Sequence, residues 1–177
     1  MSDYVYMCAG RKGGCNGSHR SHSAASTEHD RRGPGGERLM ALDTGLAAVL
    51  LLAGRVLFGG LLVFQGLNHF TNTEAMTGYA QAKGLPAPGF SVVASGVVLA
   101  LGGLGIIAGV FPAIAAGAVA LFLLVAAVTM HDFWAVPEEQ AQDEMVQFLK
   151  NVELAGAALV FLAISGEAWA YTVGIGL

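Results

Sequence analysis

The chain has 177 residues, of which 54% are hydrophobic and only 12% charged, with a formal net charge of −4. Its mean hydropathy is +0.58, and its charged fraction is about half that of a typical soluble domain, which argues against a conventional water-soluble enzyme. Two cysteines are too few for a disulfide scaffold, and no basic stripe is present of the kind that displaces counterions from nucleic acid.

Charge divides the chain in two. Residues 1–42 hold six basic and four acidic side chains, and residues 43–177 hold three basic and nine acidic ones. A mildly basic extension therefore precedes an apolar, mildly acidic body. Residues 1–39 are polar, rich in Gly, Ser, Arg and His, and lack helical or strand periodicity, so they are expected to be disordered. They also lack the apolar core of a secretory signal. Cys8, Cys15, His19 and His22 invite a zinc reading, but the cysteine gap is too wide for a zinc knuckle and no apolar residues surround it, so no metal is expected. Met40 stands directly before the first apolar run, so residues 1–39 are read as either a dispensable tail or an over-extended start.

Four apolar runs follow, at about 43–66, 90–111, 113–130 and 148–171. Each approaches the ~20 residues that a helix needs to cross ~30 Å of hydrocarbon. Their length and lack of alternation imply helices. The expected fold class is an all-α integral membrane protein, four transmembrane helices in an antiparallel bundle, with the membrane domain at 40–177. Pro112 separates the second and third runs and makes them a tight hairpin. Residues 67–89 read as a loop with a short interfacial helix near 74–83, and residues 131–147, with acids at 132, 138, 139, 143 and 144, as a solvated loop or helix face. Gly105 with Gly109, and Ala113 with Gly117, are small-residue steps suited to close helix packing.

Arg31, Arg32 and Arg38 precede the first run, while the long loops offer only Lys83 and Lys150. Basic residues stay on the cytoplasmic side, so both termini are expected in the cytoplasm, with the protein multi-pass in the cell (inner) membrane. Both long loops then share the outer face.

That topology selects the candidate site. Arg55 lies inside the first run, where a charge costs about 2.5–3.5 kcal/mol and needs a partner; Glu167 and Glu153 in the fourth run are the candidates. Asn68 and His69 end the first run, His131, Asp132, Phe133 and Trp134 end the third, and Lys150, Asn151 and Glu153 open the fourth. Histidine exchanges protons near neutral pH, with Asp132 available to orient it. Trp134 offers an aromatic wall for a flat ligand such as a quinone, or serves as an interfacial anchor. Two histidines on neighbouring spans also raise haem ligation, which needs both to face one cavity at matched depth. A thiol relay is contradicted, since no cysteine follows residue 15 and there is no C-x-x-C.

Several segments carry a family resemblance. Gly-Arg-Val-Leu-Phe-Gly-Gly at 54–60 resembles the arginine-bearing first helix of DoxX-like proteins, and Gln65-Gly66-Leu67-Asn68-His69-Phe70 resembles the end of that helix. Tyr79 with Gly84-Leu85-Pro86-Ala87-Pro88 is similar to the following loop, His131-Asp132-Phe133-Trp134 to the third-helix ending, and Phe148-Leu149-Lys150-Asn151 with Leu154-Ala155-Gly156 to the fourth-helix opening. The resemblance implies a membrane subunit of a quinone-linked oxidoreductase system, tied to thiosulfate, thiol or oxidative-stress chemistry, with no agreed catalytic residue to carry over. Its expected partners are the lipid bilayer, membrane quinone as cofactor, and a soluble or membrane redox protein. On this reading His69, His131 and Asp132 handle protons, and Arg55, Trp134, Lys150, Asn151, Glu153 and Glu167 bind the ligand. The alternatives are a non-catalytic anchor for soluble partners and a small transporter, the latter without the internal repeat symmetry that would support it.

Overall fold

The computed structural model describes residues 44–176. The expectations for the extension, its zinc reading and its start lie outside the described residues. Five helices follow in order: α1 (Gly45–Thr71), α2 (Thr73–Ala82), α3 (Pro88–Ala108), α4 (Pro112–Met130) and α5 (Glu138–Ala163). All but α2 are long and apolar enough to cross a membrane. α1 packs on α3, α3 on α4 and α4 on α5, each pair antiparallel in the chain's up-and-down path. The end of the bundle carrying Thr44 is here called proximal, and the end carrying His69 distal.

Side chains are sorted as a lipid environment demands. Leu62, Leu99, Ile106, Val119, Leu123 and Phe161 form a buried core. Leu46, Leu57, Leu61, Ile114 and Leu121 point outward and are exposed. A water-soluble domain would not present so much apolar surface.

Proline and glycine set the boundaries. Pro88 and Pro112 start α3 and α4, where a missing N–H leaves no hydrogen bond unmade. Gly109 ends α3 in the left-handed conformation, φ +64°. It is therefore a cap and not, as the Gly105 step anticipated, a packing position within a helix. Gly117 is also loosely placed: a Cβ there would meet only a Leu162 methyl at 3.9 Å. The tight approach is between α1 and α3. A Cβ on Gly59 would lie 2.6 Å from the Gly103 carbonyl oxygen, and one on Gly66 would lie 2.7 Å from that of Gly96. The two contacts lie two turns apart along each helix, so one seam of glycines brings the two backbones together.

The fourth span differs most from expectation. α5 begins at Glu138, ten residues before the expected start, and ends at Ala163, eight before the expected end. The acidic stretch is the first turns of α5, because Pro137 launches the helix and Ala141, Met145 and Phe148 repeat at helical spacing on one side. At the other end Ser165 and Gly166 turn the chain. Residues 164–176 then run back under the proximal end. The Trp169 indole donates to the Ile164 carbonyl at 2.8 Å, and Val110 pairs with Ile175 in an isolated bridge.

This returning segment surrounds Arg55, which is fully buried. Its Nε donates to the Ile106 carbonyl at 2.9 Å and Nη1 to Ala170 at 2.8 Å. Nη2 donates to the carbonyls of Ile107 and, at 3.4 Å, Tyr171. The guanidinium also lies 5.2 Å from the Trp169 ring centroid. The expected partners Glu153 and Glu167 are not used. The ion pairs among the described residues are Lys83–Asp132 and Lys83–Glu144, with His131 hydrogen-bonded to the same Glu144. The physical reason is the end of α3. Four carbonyls of a helix C-terminus lack intrahelical partners and carry the negative pole of the helix dipole. Gly105 O receives the Val110 N–H, Ile106 O and Ile107 O receive Arg55, and Ala108 O receives the Val173 N–H. Arg55 thus satisfies the last carbonyls of α3 from outside that helix and is the latch for residues 170–171.

Candidate functional site: a distal cavity between two histidines

The opposite end of the bundle is polar. His69 sits in the last turn of α1, and its Nδ1 lies 2.9 Å from the Gln65 carbonyl oxygen. A carbonyl only accepts, so Nδ1 carries the proton and Nε2 is the acceptor of the neutral ring. His131 follows the last turn of α4, with Nδ1 2.9 Å from Glu144 Oε2. A carboxylate again fixes the proton on Nδ1 and leaves Nε2 to accept.

Glu144 is the hub. Its Oε1 receives Tyr79 OH at 2.8 Å and Lys83 Nζ at 3.1 Å. Lys83 Nζ also lies 2.5 Å from Asp132 Oδ1. Tyr79 and Lys83 are one helical turn apart, so both reach the same carboxylate from α2 and its end. Burial opposes the charge on Lys83, but hydrogen bonds to Asp132 and Glu144 outweigh it and hold the ammonium above its usual range. The Tyr79 phenol is pushed up to about 12, first by burial and then by the neighbouring Glu144 carboxylate. Its single proton has a second acceptor, the Met130 carbonyl at 2.9 Å. Tyr79 therefore stays a donor throughout the physiological range. Ultraviolet titration is expected to show one tyrosine ionising only near pH 12, and Tyr79→Phe should remove that step and no other.

Beneath this network lies a cavity of about 670 Å³. Phe64, Val98, Leu99, Phe122 and Leu123 make an apolar wall toward mid-bundle, and Gln65, Asn68, His69, His131, Lys150 and Asn151 make a polar distal wall. All five helices contribute. The architecture that places them is the α1–α3 glycine seam on one side and the α4–α5 contact on the other.

Of the residues expected at the site, His69, His131, Lys150 and Asn151 line this cavity. Asp132 does not orient His131; it pairs with Lys83, and Glu144 takes the histidine instead. Trp134 is 58% exposed and packs edge-on against Phe133 and Phe148, outside the cavity lining. Glu153 is exposed on α5, and Glu167 lies past its end. Arg55 is fourteen residues from His69 along α1, about 21 Å at 1.5 Å per residue, at the other end of the bundle. The two histidines border one cavity, yet each Nδ1 is already committed, and among the described residues no group of His, Cys, Asp and Glu is placed to hold a metal ion. Tyr79, Lys83, Glu144 and Gln147 were missed as site residues. The available signal was the i, i+4 spacing of Tyr79 and Lys83 and of Gln140 and Glu144, on stretches that were read as an interfacial helix and a solvated face and not as walls of a site.

Residues 50–132 match the family model of DoxX. No curated protein and no solved structure matches the chain. The matched stretch runs from α1 to the residue after His131, and so leaves α5, Glu144 and the returning segment outside it. Four long apolar helices make this a multi-pass membrane protein, and residues 50–132, which hold its first three spans, are similar to DoxX.

Proposed function

We propose that this protein is the membrane subunit of a quinone-linked oxidoreductase system and that the distal cavity receives the quinone ring. The observation that carries the reading is the pairing of an apolar wall with a polar distal wall in a cavity of about 670 Å³, within the size range of small-molecule sites. The residues fit the group. Ring carbonyls need donors, which the Lys150 ammonium and the Asn68 and Asn151 amides offer. Ring hydroxyls need acceptors, which the Nε2 atoms of His69 and His131 offer. Phe64, Leu99, Phe122 and Leu123 suit an isoprenoid tail and keep water from the mid-bundle region.

A bound quinone supplies two-electron chemistry, and a partner with its own redox centre exchanges the electrons. The chain's own residues bind, orient and hold protons. Glu144 fixes the His131 tautomer, and Gln65 that of His69. The proposed orientation puts the proximal end in the cytoplasm and the distal site on the outer side of the cell membrane, following Arg31, Arg32 and Arg38.

The test is purification in mild detergent followed by lipid extraction, with the native protein compared to Ala126→Phe, which fills the cavity from α4. Quinone is expected with the native protein and about tenfold less with the variant, the equivalent of 1.4 kcal/mol. Protein partners without quinone in either sample would overturn the reading in favour of an anchor subunit.

A further inference from the structure

A second hollow, of about 390 Å³, opens on the distal surface beside the cavity. Tyr79, His131 and Gln147 line both spaces and form the partition between them. A glutamine amide does not titrate, and the Tyr79 phenol holds its proton to about pH 12. His131 is thus the one partition residue whose ring offers an N–H on one side, toward Glu144, and a lone pair on the other nitrogen. Glu144 and Asp143 stand on the hollow side of it.

We infer that His131 and Glu144 pass protons between the interhelical cavity and this surface hollow. The step balances without an oxidant. An O–H bond of a ligand or water in the cavity breaks as an N–H bond forms at His131 Nε2. The N–H bond at Nδ1 breaks as an O–H bond forms at Glu144 Oε2, 2.9 Å away. Glu144 then releases its proton to water in the hollow, and the starting tautomer returns when the Nε2 N–H bond breaks to one water as an N–H bond re-forms at Nδ1 from another. Run backwards, the same steps deliver a proton to the cavity. Glu144 is a relay and positioning residue, held in place by Tyr79 and Lys83.

The charged and titratable groups around the pair are few. α2 and its end present Tyr79 and Lys83, the α4–α5 loop presents Asp132 through Lys83, α5 adds Asp143 and Lys150, and α1 adds His69 across the cavity. From α3 only Ser91 and Ser95 face the cavity with polar side chains. Lys83 already binds both carboxylates, which keeps the Glu144 carboxylate near His131 rather than turned to solvent.

The inference leans on the proposed function only for what occupies the cavity, so its test uses the full-length protein in nanodiscs without quinone. Nitrogen-15 spectra of the histidines, with His131 assigned by His131→Gln, are expected to show its neutral ring protonated at Nδ1. An infrared pH jump is expected to show His131 protonation slowed about 100-fold in Glu144→Gln, with Glu144→Asp close to native. A native ring protonated at Nε2, or an unchanged rate in Glu144→Gln, would overturn the relay. The spectrum of the native protein decides the question even where the Gln variant does not fold. A working relay in a protein that retains no quinone would overturn the proposed function and leave the relay standing.

Discussion

Arg55→Ala is expected to destabilise the detergent-solubilised protein by about 3–5 kcal/mol, the range for removing one side of a buried charged network. Four carbonyl oxygens lose their donor at once, two at the end of α3 and two in the returning segment. Each buried acceptor left without a partner costs about 1–3 kcal/mol, and the Trp169 ring loses its cation. Relaxation of residues 164–176 toward water offsets part of that sum. Thermal unfolding followed by tryptophan fluorescence checks it, since Trp169 sits against the guanidinium. Arg55→Lys should fall between, because an ammonium cannot span the Ile106, Ile107 and Ala170 oxygens as a planar fork does. Quinone retention by Arg55→Lys should match the native protein, because the distal cavity is at the other end of α1. Loss of quinone from a folded Arg55→Lys protein would return Arg55 to the ligand site.

The second large effect is expected at the glycine seam. Gly59→Ala and Gly103→Ala should each destabilise the bundle by about 1–3 kcal/mol, the range for overpacking a close contact. The obstacle in each case is backbone: the Gly103 carbonyl oxygen for Gly59, at 2.6 Å, and the Gly59 carbonyl oxygen for Gly103, at 2.5 Å. Neither can rotate away as a side chain would, so α1 and α3 must separate. The double variant should lose less than the two single losses together, because one separation relieves both clashes. Gly60→Ala and Gly156→Ala, where nothing lies within 4 Å, serve as controls and should leave the thermal midpoint unchanged.

These two cases also show what could be read from the sequence. The number of spans and the hairpin at Pro112 were legible because hydropathy and proline act over short stretches. So was the placing of His69 and His131 at one end of the bundle, where both border the same cavity, which follows from helix parity alone. Arg55 was legible as buried but not as the partner of a helix end. A search for its partner among acidic side chains overlooks the negative pole that every helix end carries. Glu144 was read as part of a solvated acidic face, because a charge count does not reveal that Pro137 starts a helix whose inner side meets α2. The glycine seam escaped for a related reason. Gly59 and Gly103 are distant in sequence, and only the antiparallel register of α1 and α3 makes them neighbours.

The latch at Arg55 bears on how the protein is made. The first span enters the membrane carrying a cation whose acceptors at Ala170 and Tyr171 are translated more than a hundred residues later. Until those two carbonyls arrive, the guanidinium has only the end of α3 and whatever water or lipid headgroup is nearby. Closure of that half of the bundle therefore waits on the last stretch of the chain. A tag or truncation that disturbs residues 169–173 would act on biogenesis, as slower maturation and faster turnover, before it altered anything at the far side of the membrane.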